Sequence, residues 1–341
     1  MNDIISSGRT FPRHSVDMLP VEDVGVDAIN LEQVAAHVAQ AQSRGRYAGP
    51  TEPMEYLKHH KCIVPHDDDL RATLAGILCF GHAPQTILPH AVVDIGHYRG
   101  SEAVSFDVVH LEKGIGGTIF DQLRRVEEYL WRNTHHGMGL SDRGLERVEL
   151  HEYPRAVIRE LVVNLLAHRD YTLIGSAARV ALYRNRIEWI SPGGLPPGVT
   201  IANLLEAQTA RNPGLQTILH EAGLVEAFGQ GLDTVVSVLR TEGMQPPTFR
   251  DIGTAFIVTI YGRQMDRDAQ SGLTLNLTTP QRRIVLLLQN RGEMTISDIE
   301  EALPERSRRM LQEDLRGLVS EGIVDRSGQT RSVRYSLRPP S

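Results

Sequence analysis

The chain has 341 residues, of which 41% are hydrophobic and 23% charged, and its formal net charge is −6. A chain of this length is expected to fold as roughly two or three domains, and its composition is that of a soluble globular protein. The negative charge excludes a surface that is basic throughout, so any nucleic-acid contact must come from a local patch.

The sequence has no feature of a secreted protein or of a membrane protein. The N-terminus has no apolar segment typical of a signal peptide, and no run of about eighteen apolar residues is present. Cys62 and Cys79 are too few for a disulfide framework and favour a reducing compartment, so we expect a cytoplasmic protein.

Residues 1–70 are expected to form an N-terminal arm followed by a helical segment. Residues 1–20 are polar and contain turn-forming residues, whereas 27–45 and 52–65 have apolar residues at helical spacing. A group of metal-ligating residue types lies at the end of the second helix: His59, His60, Cys62 and His66. Because zinc sites need paired ligands and no second cluster follows, we interpret this group as a polar helix end and loop.

Residues 71–136 change to an α/β pattern. LAGILCF (74–80) is a continuous apolar run that suits either a buried strand or a short helix. AVVDI (91–95) and 104–111 have the β-branched content of strands. GIGG (114–117) lacks the Lys-Ser/Thr of a phosphate-binding loop and is interpreted as a turn, and 118–136 is a strongly amphipathic helix.

Residues 154–171, PRAVIRELVVNLLAHRDY, predict a helix around which the middle domain is organised. Its proline suits the first helical position, and a buried stripe is formed by Val157, Leu161, Leu165 and Leu166. Glu160 and Asn164 are four residues apart and share a face. A carboxylate and an amide so placed can hold a hydrated Mg²⁺ and orient a water molecule.

The residues after this helix predict a hairpin, a glycine-rich loop and further helices. ARVALY and RIEWIS alternate apolar and polar residues as half-buried strands do, and SPGGLPPG (191–198) must be an irregular loop. Residues 204–224 predict two short helices, 226–243 a helix with Gly229 and Gly231 in its first turn, and 248–262 the last strands.

These features converge on a Mg-nucleotide pocket. Helix N-termini preceded by glycines present free N–H groups to an anion, and glycine lets the backbone approach a phosphate closely. Asn164 would bind the metal and Glu160 would act as base for a water, while SPGGL and the GQG segment close on the base and the phosphates.

Residues 273–341, after a polar linker, predict a winged helix-turn-helix domain. TTPQRRIVLLLQNRG, TISDIEEAL and PERSRRMLQEDLRGLVSEG predict three helices, the first two capped by Thr279 and Ser297, and IVDRSGQTRSVRYSL predicts a β-hairpin.

Polar and basic residues of this domain are candidates for contact with double-stranded DNA. They lie at the start of the third helix and on the wing: Arg306, Ser307, Arg308, Arg309, Gln312, Arg331 and Arg334. Arginine can bind guanine bidentately or grip a phosphate. The alternative is a winged helix that contacts protein and leaves its arginines solvated.

The chain resembles a known family at LVVNLLAHRDY, SPGGLPPG, the RNP triplet (211–213) and EAFGQGL. These segments look like those of predicted transcriptional regulators labelled RecG-C-terminal-related ATP-binding proteins, whose nucleotide domain is of the GHKL (Bergerat) type shared with gyrase and histidine kinases. LAGILCFGHAPQTILPHA also matches the segment that precedes this domain. The resemblance runs from about residue 20 to the end and implies an α+β fold: a GHKL-like mixed sheet covered by helices (71–263), then a winged helix (273–341).

The resemblance also implies roles for individual residues. Glu160 and Asn164 correspond to the family's candidate general base and Mg²⁺ ligand, and Ser191 stands in place of the adenine-binding aspartate. A hydroxyl is a weaker acceptor than a carboxylate, so this departure weakens adenine recognition. Further residues would hold ATP: Gly193, Gly194, Gly229 and Gly231. Arg169 would either face phosphates or join His168 and Asp170 in a network at the helix end.

The function implied is a homodimeric transcriptional regulator in which ATP or a related nucleotide, with Mg²⁺, modulates DNA binding. The Schlafen AlbA-type domain that often begins family members is not expected here, and the absence of Walker motifs argues against helicase activity. Two alternatives stay open: a slow Mg-dependent ATPase, and a degenerate scaffold that acts through protein contacts.

Overall fold

The computed structural model describes residues 15–103, 107–140, 147–207, 209–225, 231–263, 277–304, 306–328 and 333–338. The chain divides into two compact units, Met1–Arg263 and Gln264–Ser341, and each has its own hydrophobic core. Among the described helices, none combines the length and the apolar surface needed to cross a bilayer.

The first unit alternates short helices with strands. Its helices are α1 (Leu31–Ser43), α2 (Pro53–His59), α3 (Leu74–Phe80), α4 (Pro84–Ile87), α5 (Ile119–Asn133), α6 (Arg155–Ala167), α7 (Pro213–Glu221) and α8 (Gly231–Thr241). Its strands are β1 (Pro20–Gly25), β2 (Ile63–His66), β3 (Asp69–Thr73), β4 (Val93–Tyr98), β5 (Val108–Ile115), β6 (His136–Leu140), β7 (Arg147–His151), β8 (Ala178–Leu182), β9 (Arg186–Pro192), β10 (Thr248–Asp251) and β11 (Ala255–Tyr261).

The N-terminal part of this unit contains a small antiparallel sheet of order β1-β3-β2. The boundary predicted at residue 70 falls inside β3, whose Thr73 pairs with Pro20 of β1. The apolar run 74–80 is a helix rather than a strand, because the Thr73 side chain caps it by accepting from the Gly76 N–H at 3.2 Å.

A six-stranded mixed sheet of order β10-β11-β9-β8-β4-β5 forms the centre of the unit, with β4 and β8 parallel and the other pairs antiparallel. Helix α6 packs on β9 and contacts α5 and α8. The predicted fold class, a mixed sheet covered by helices, is confirmed. One local prediction was wrong: the described part of 204–224 holds one α-helix, α7, rather than two. Strand β7 pairs with a further strand, β6.

Helix α6 is shorter than the predicted range 154–171. Pro154 is its N-cap, and it ends at Ala167, because the side-chain amide of Asn212 donates to the carbonyls of Ala167 (2.9 Å) and Arg169 (2.8 Å). The predicted stripe is buried, and so are Val162 and Val163. Helix α6 is therefore a core helix with only a narrow polar face.

The second unit is a winged helix, as predicted. Its elements are α9 (Thr279–Arg291), β12 (Met294–Thr295), α10 (Ile296–Ala302), α11 (Arg308–Ser320), β13 (Val324–Ser327) and β14 (Arg334–Leu337). The strands form a sheet of order β12-β14-β13. The helix caps are Thr278 and Thr295 rather than Thr279 and Ser297, because Gln281 and Asp298 each reach back to complete a capping box.

Candidate functional site

A cavity of about 480 Å³ lies along the polar face of α6 in the first unit. Glu160 and His168 both line it, and the eight residue steps from one to the other correspond to about 12 Å along the helix axis. The other walls come from the end of β9, the segment that follows it, α7, the start of α8 and β11. The cavity brings together these predicted site residues: Glu160, Asn164, Ser191, Gly193, Gly194 and Gly231.

Glu160 and Asn164 form one hydrogen-bonded pair at the end of the cavity next to α8. The Asn164 amide donates to the carboxylate Oε1 of Glu160 and to its backbone oxygen, both at 2.9 Å. Gly231, the first residue of α8, lies so close that a β-carbon there would overlap Glu160 Oε1 and approach Asn164 Nδ2 to 3.0 Å. A side chain at this position would have to displace the Glu160 carboxylate from the start of α8.

Ser191 lies farther along α6. Its side chain is buried, and its hydroxyl donates to the carbonyl of Leu165 at 3.2 Å, which ties the end of β9 to the helix. Gly193 has φ +94°, and a β-carbon at this position would lie 2.6 Å from Asp170 Cβ. This glycine is needed for its left-handed backbone and for the close approach.

Arg211 holds the glycine-rich segment against the helix end. Its guanidinium forms an ion pair with Asp170 at 3.1 Å and donates to the carbonyl of Gly194. Asp170 was expected to pair with Arg169 or His168, so that pairing is corrected. The RNP triplet therefore has a structural role: Arg211 holds the glycine-rich segment, and Asn212 donates to the carbonyls at the end of α6 and just after it. Because these contacts join residues far apart in the sequence, the triplet alone indicated only the family resemblance.

Arg169 does not line the cavity, and its predicted phosphate contact is corrected. The side chain is fully buried and donates to the carbonyls of Val92 (2.9 Å), Ser176 (2.8 Å) and His90. Its guanidinium also lies 5.0 Å from the centroid of the Tyr171 ring. Because every strong contact is internal, Arg169 ties α6 to β4 and to the segment before β8.

His168 lines the cavity although the predictions assigned it no ligand contact. Burial, together with the positive charge of Arg211, lowers the pKa of His168 to about 4. The imidazole is therefore neutral at pH 7, and a neutral imidazole offers one hydrogen-bond donor and one acceptor.

A buried carboxylate anchors α7, the helix that supplies Gln216 and Thr217 to the cavity wall. Glu221 accepts from Tyr56 at 2.7 Å and lies 3.4 Å from His37 and 3.1 Å from His60. Burial alone would raise the pKa of Glu221, but the hydrogen bonds outweigh it and lower the pKa to about 2. His60, from the group weighed above as a metal site, thus belongs to this cluster.

The oxygen atoms of Glu160 and Asn164, at the α8 end of the cavity, suit a cation. The cavity offers few groups that could bind a chain of phosphates. Glu160 and Asn164 would hold Mg²⁺, although no group of three or more His, Cys, Asp or Glu within the described ranges is placed to hold a metal ion. Arg211 is the one arginine or lysine among the described residues of the lining, and it is already paired. The described side chains of the lining therefore leave no uncommitted cationic group for a triphosphate.

The winged helix presents most of its predicted DNA-contact residues on its surface. Ser307 caps α11, and Arg309 is 89% exposed with only a 3.6 Å contact to Glu313. Arg308 pairs with Glu300 at 2.7 Å, Gln312 is exposed, and Arg334 lies 3.9 Å from Glu293.

Arg306 differs from the other residues of this set. It is largely covered and pairs with Asp314 at 2.5 Å, so it supports α11 and is removed from the contact set. Gly229 of the cavity prediction and Arg331 of the wing prediction lie outside the described residues.

Two family models match the chain. Residues 175–260 match the family described as "Putative ATP-dependent DNA helicase recG C-terminal", and residues 281–339 match "HxlR-like helix-turn-helix". The predicted resemblance, a RecG C-terminal-like domain followed by a helix-turn-helix, is confirmed. Glu160 and Asn164 lie before the first matched range. No curated protein matches the chain.

One solved structure extends the likeness over both units. The crystal structure of the DIP2311 protein from Corynebacterium diphtheriae is similar over 95% of this chain, with a TM-score of 0.59 and 18% sequence identity. The chain spans 64% of that protein's length. At this identity the likeness concerns the fold.

Proposed function

We propose that this chain, which joins a RecG C-terminal-like domain to an HxlR-like helix-turn-helix, is a DNA-binding transcriptional regulator. The observation that carries the proposal is the exposed N-terminal turn of α11, with Arg308, Arg309 and Gln312, in a winged-helix unit. This end of the third helix is the part that enters the major groove in helix-turn-helix proteins. Because helix-turn-helix proteins commonly bind two DNA half-sites, one for each protomer, the proposal includes a homodimer.

We also propose that the cavity along α6 binds a nucleotide-type ligand that modulates DNA binding. Support comes from the cavity volume, from the convergence of Glu160, Asn164 and Gly231, and from the glycine-rich segment at its edge. Modulation requires that the ligand bind the DNA-competent and the incompetent states with different affinities. ATP with Mg²⁺ stays a prediction.

DNA binding by the full chain is tested by selection from random double-stranded DNA, followed by titration of the selected sequence. Arg308→Ala should weaken binding to that sequence by about 1–3 kcal/mol if the side chain contacts a base. Unchanged affinity of Arg308→Ala for every selected DNA would end the recognition-helix assignment.

Ligand modulation is tested by repeating the titration with a series of nucleosides and nucleotides. Phosphate release that disappears in Glu160→Gln would favour the ATPase alternative, because Glu160 lies in the cavity beside Asn164. Binding of no member of the series would favour the scaffold.

A further inference from the structure

We infer that the cavity along α6 accepts a nucleoside, uncharged and without a phosphate chain, in preference to a nucleoside triphosphate. The inference rests on the proposed function and specifies the ligand class of the same site. Three observations support it: the scarcity of positive charge on the cavity wall, the carboxylate of Glu160 at the start of α8, and the apolar and neutral polar groups elsewhere in the lining.

The cavity wall is poor in positive charge. The guanidinium of Arg211 is already engaged by the Asp170 carboxylate and the Gly194 carbonyl. In the sequence, residues 195–210 and 224–239 contain no lysine or arginine. Phosphate chains are bound through charge-assisted hydrogen bonds from such side chains or through cations.

The start of α8, where the predicted pocket places the phosphates, already faces a carboxylate. Glu160 Oε1 lies against Gly231, at the positive end of the helix dipole. Asp233, in the first turn of α8, also lines the cavity and adds a second negative charge. Without a bound cation, phosphates placed here would be repelled by both carboxylates at short range.

Other parts of the cavity wall offer neutral contacts instead. Leu165, Trp189 and Val258 provide apolar surface, while Ser191 and the neutral His168 provide hydrogen-bonding groups. Ligand sites for small molecules are apolar with a few placed polar groups, and 480 Å³ falls within their usual range. A base and ribose match both this surface and the length of α6 that borders it.

The test is a calorimetric titration of the full chain with adenosine, guanosine, AMP, ADP and ATP, with and without Mg²⁺, at two salt concentrations. The full chain is used so that the arginines within residues 1–14 and 264–276 are included when the affinity for phosphates is measured. We expect a nucleoside to bind at least as tightly as its triphosphate, and triphosphate affinity to stay level or rise with salt, because salt screens repulsion.

Two outcomes overturn the inference. A triphosphate that binds about tenfold tighter than its nucleoside and weakens with salt contradicts it while leaving the proposed ligand site standing. Binding of no member of the series overturns both this inference and that site.

Variants test the charge argument directly through the ratio of ATP to adenosine affinity. Asp233→Asn should raise that ratio about threefold, because one repulsive charge is removed. Thr209→Lys, which adds a cation at an exposed position of the wall, should raise it further than the matched Thr209→Gln. If the ratio of ATP to adenosine affinity stays unchanged in every one of these variants that folds, the inference is contradicted.

Discussion

Gly231, the first residue of α8, lies directly against the carboxylate of Glu160, with no room for a β-carbon between them. The same carboxylate accepts from Asn164 at 2.9 Å, so helix α8, Glu160 and Asn164 form one contact. The arrangement fixes both polar side chains at one end of the cavity, and any side chain larger than glycine must displace them.

The first prediction concerns Gly231→Ala. The added methyl group should turn Glu160 away from Asn164 and lower the affinity for the tightest-binding nucleoside by about tenfold, equivalent to about 1.4 kcal/mol. Calorimetry measures the affinity. Gly175→Ala is the control, because no atom lies within 4 Å of a β-carbon there. Equal affinities of the two variants would contradict the geometry at α8.

The second prediction is that Arg169→Ala destabilises the first unit but does not remove a direct contact with the ligand. Its buried guanidinium donates to three carbonyls of half-buried residues, and losing these hydrogen bonds should cost about 3 kcal/mol. Chemical denaturation measures the loss, with the exposed Arg179→Ala as control. An Arg169 variant of normal stability that had lost ligand affinity would restore the phosphate-contact prediction.

Arg169 also shows why part of the site could not be read from the sequence. HRDY places three ionisable residues at a helix end, and the local pattern does not distinguish a side chain that faces a ligand from one that faces the core. The partners of Arg169 are carbonyls of residues 90, 92 and 176, and that of Asp170 is Arg211. These contacts depend on the folded chain.

Other features were predictable because they are local. The spacing of Glu160 and Asn164 fixes them on one helical face, and the alternation of 178–191 predicts the hairpin of β8 and β9. The caps of α9 and α10 were displaced because two adjacent candidates compete, and the back-bonding of Gln281 and Asp298 decides between them. By contrast, β1 pairs with β3 through residues far apart in the sequence, such as Pro20 with Thr73, which no local pattern indicates.

The third prediction is a pH dependence of stability that comes from His168. Its folded-state pKa of about 4 lies below the ordinary value of 6.5, so between these values the unfolded chain binds more protons. The free energy of unfolding should therefore fall as the pH drops from about 6.5 towards 4, by at most about 3 kcal/mol.

Denaturation at a series of pH values measures this contribution. His168→Gln should flatten the dependence, because its side chain does not titrate, whereas His66→Gln, at an exposed position, should leave it unchanged. A slope that is the same in wild type and in His168→Gln would show that the imidazole is not held neutral.

The last prediction separates two arginines at the start of α11. Arg306 pairs with Asp314 under partial cover, whereas the Arg309 side chain is 89% exposed. Arg306→Ala should therefore lower the stability of the winged helix, by about 1 kcal/mol for such a pair. Arg309→Ala should leave stability unchanged and weaken DNA binding.

Salt titrations of DNA affinity give this contrast a physical readout. If Arg309 contacts a phosphate, its removal should reduce the slope of log affinity against log salt by about one, since one fewer counterion is released. Arg283→Ala, which makes the same charge change on α9, is the control. An Arg309 variant whose affinity and slope both match those of Arg283→Ala would place the DNA elsewhere on the domain. Glu313→Gln should have the opposite effect to Arg309→Ala, because it removes the carboxylate that competes for the arginine.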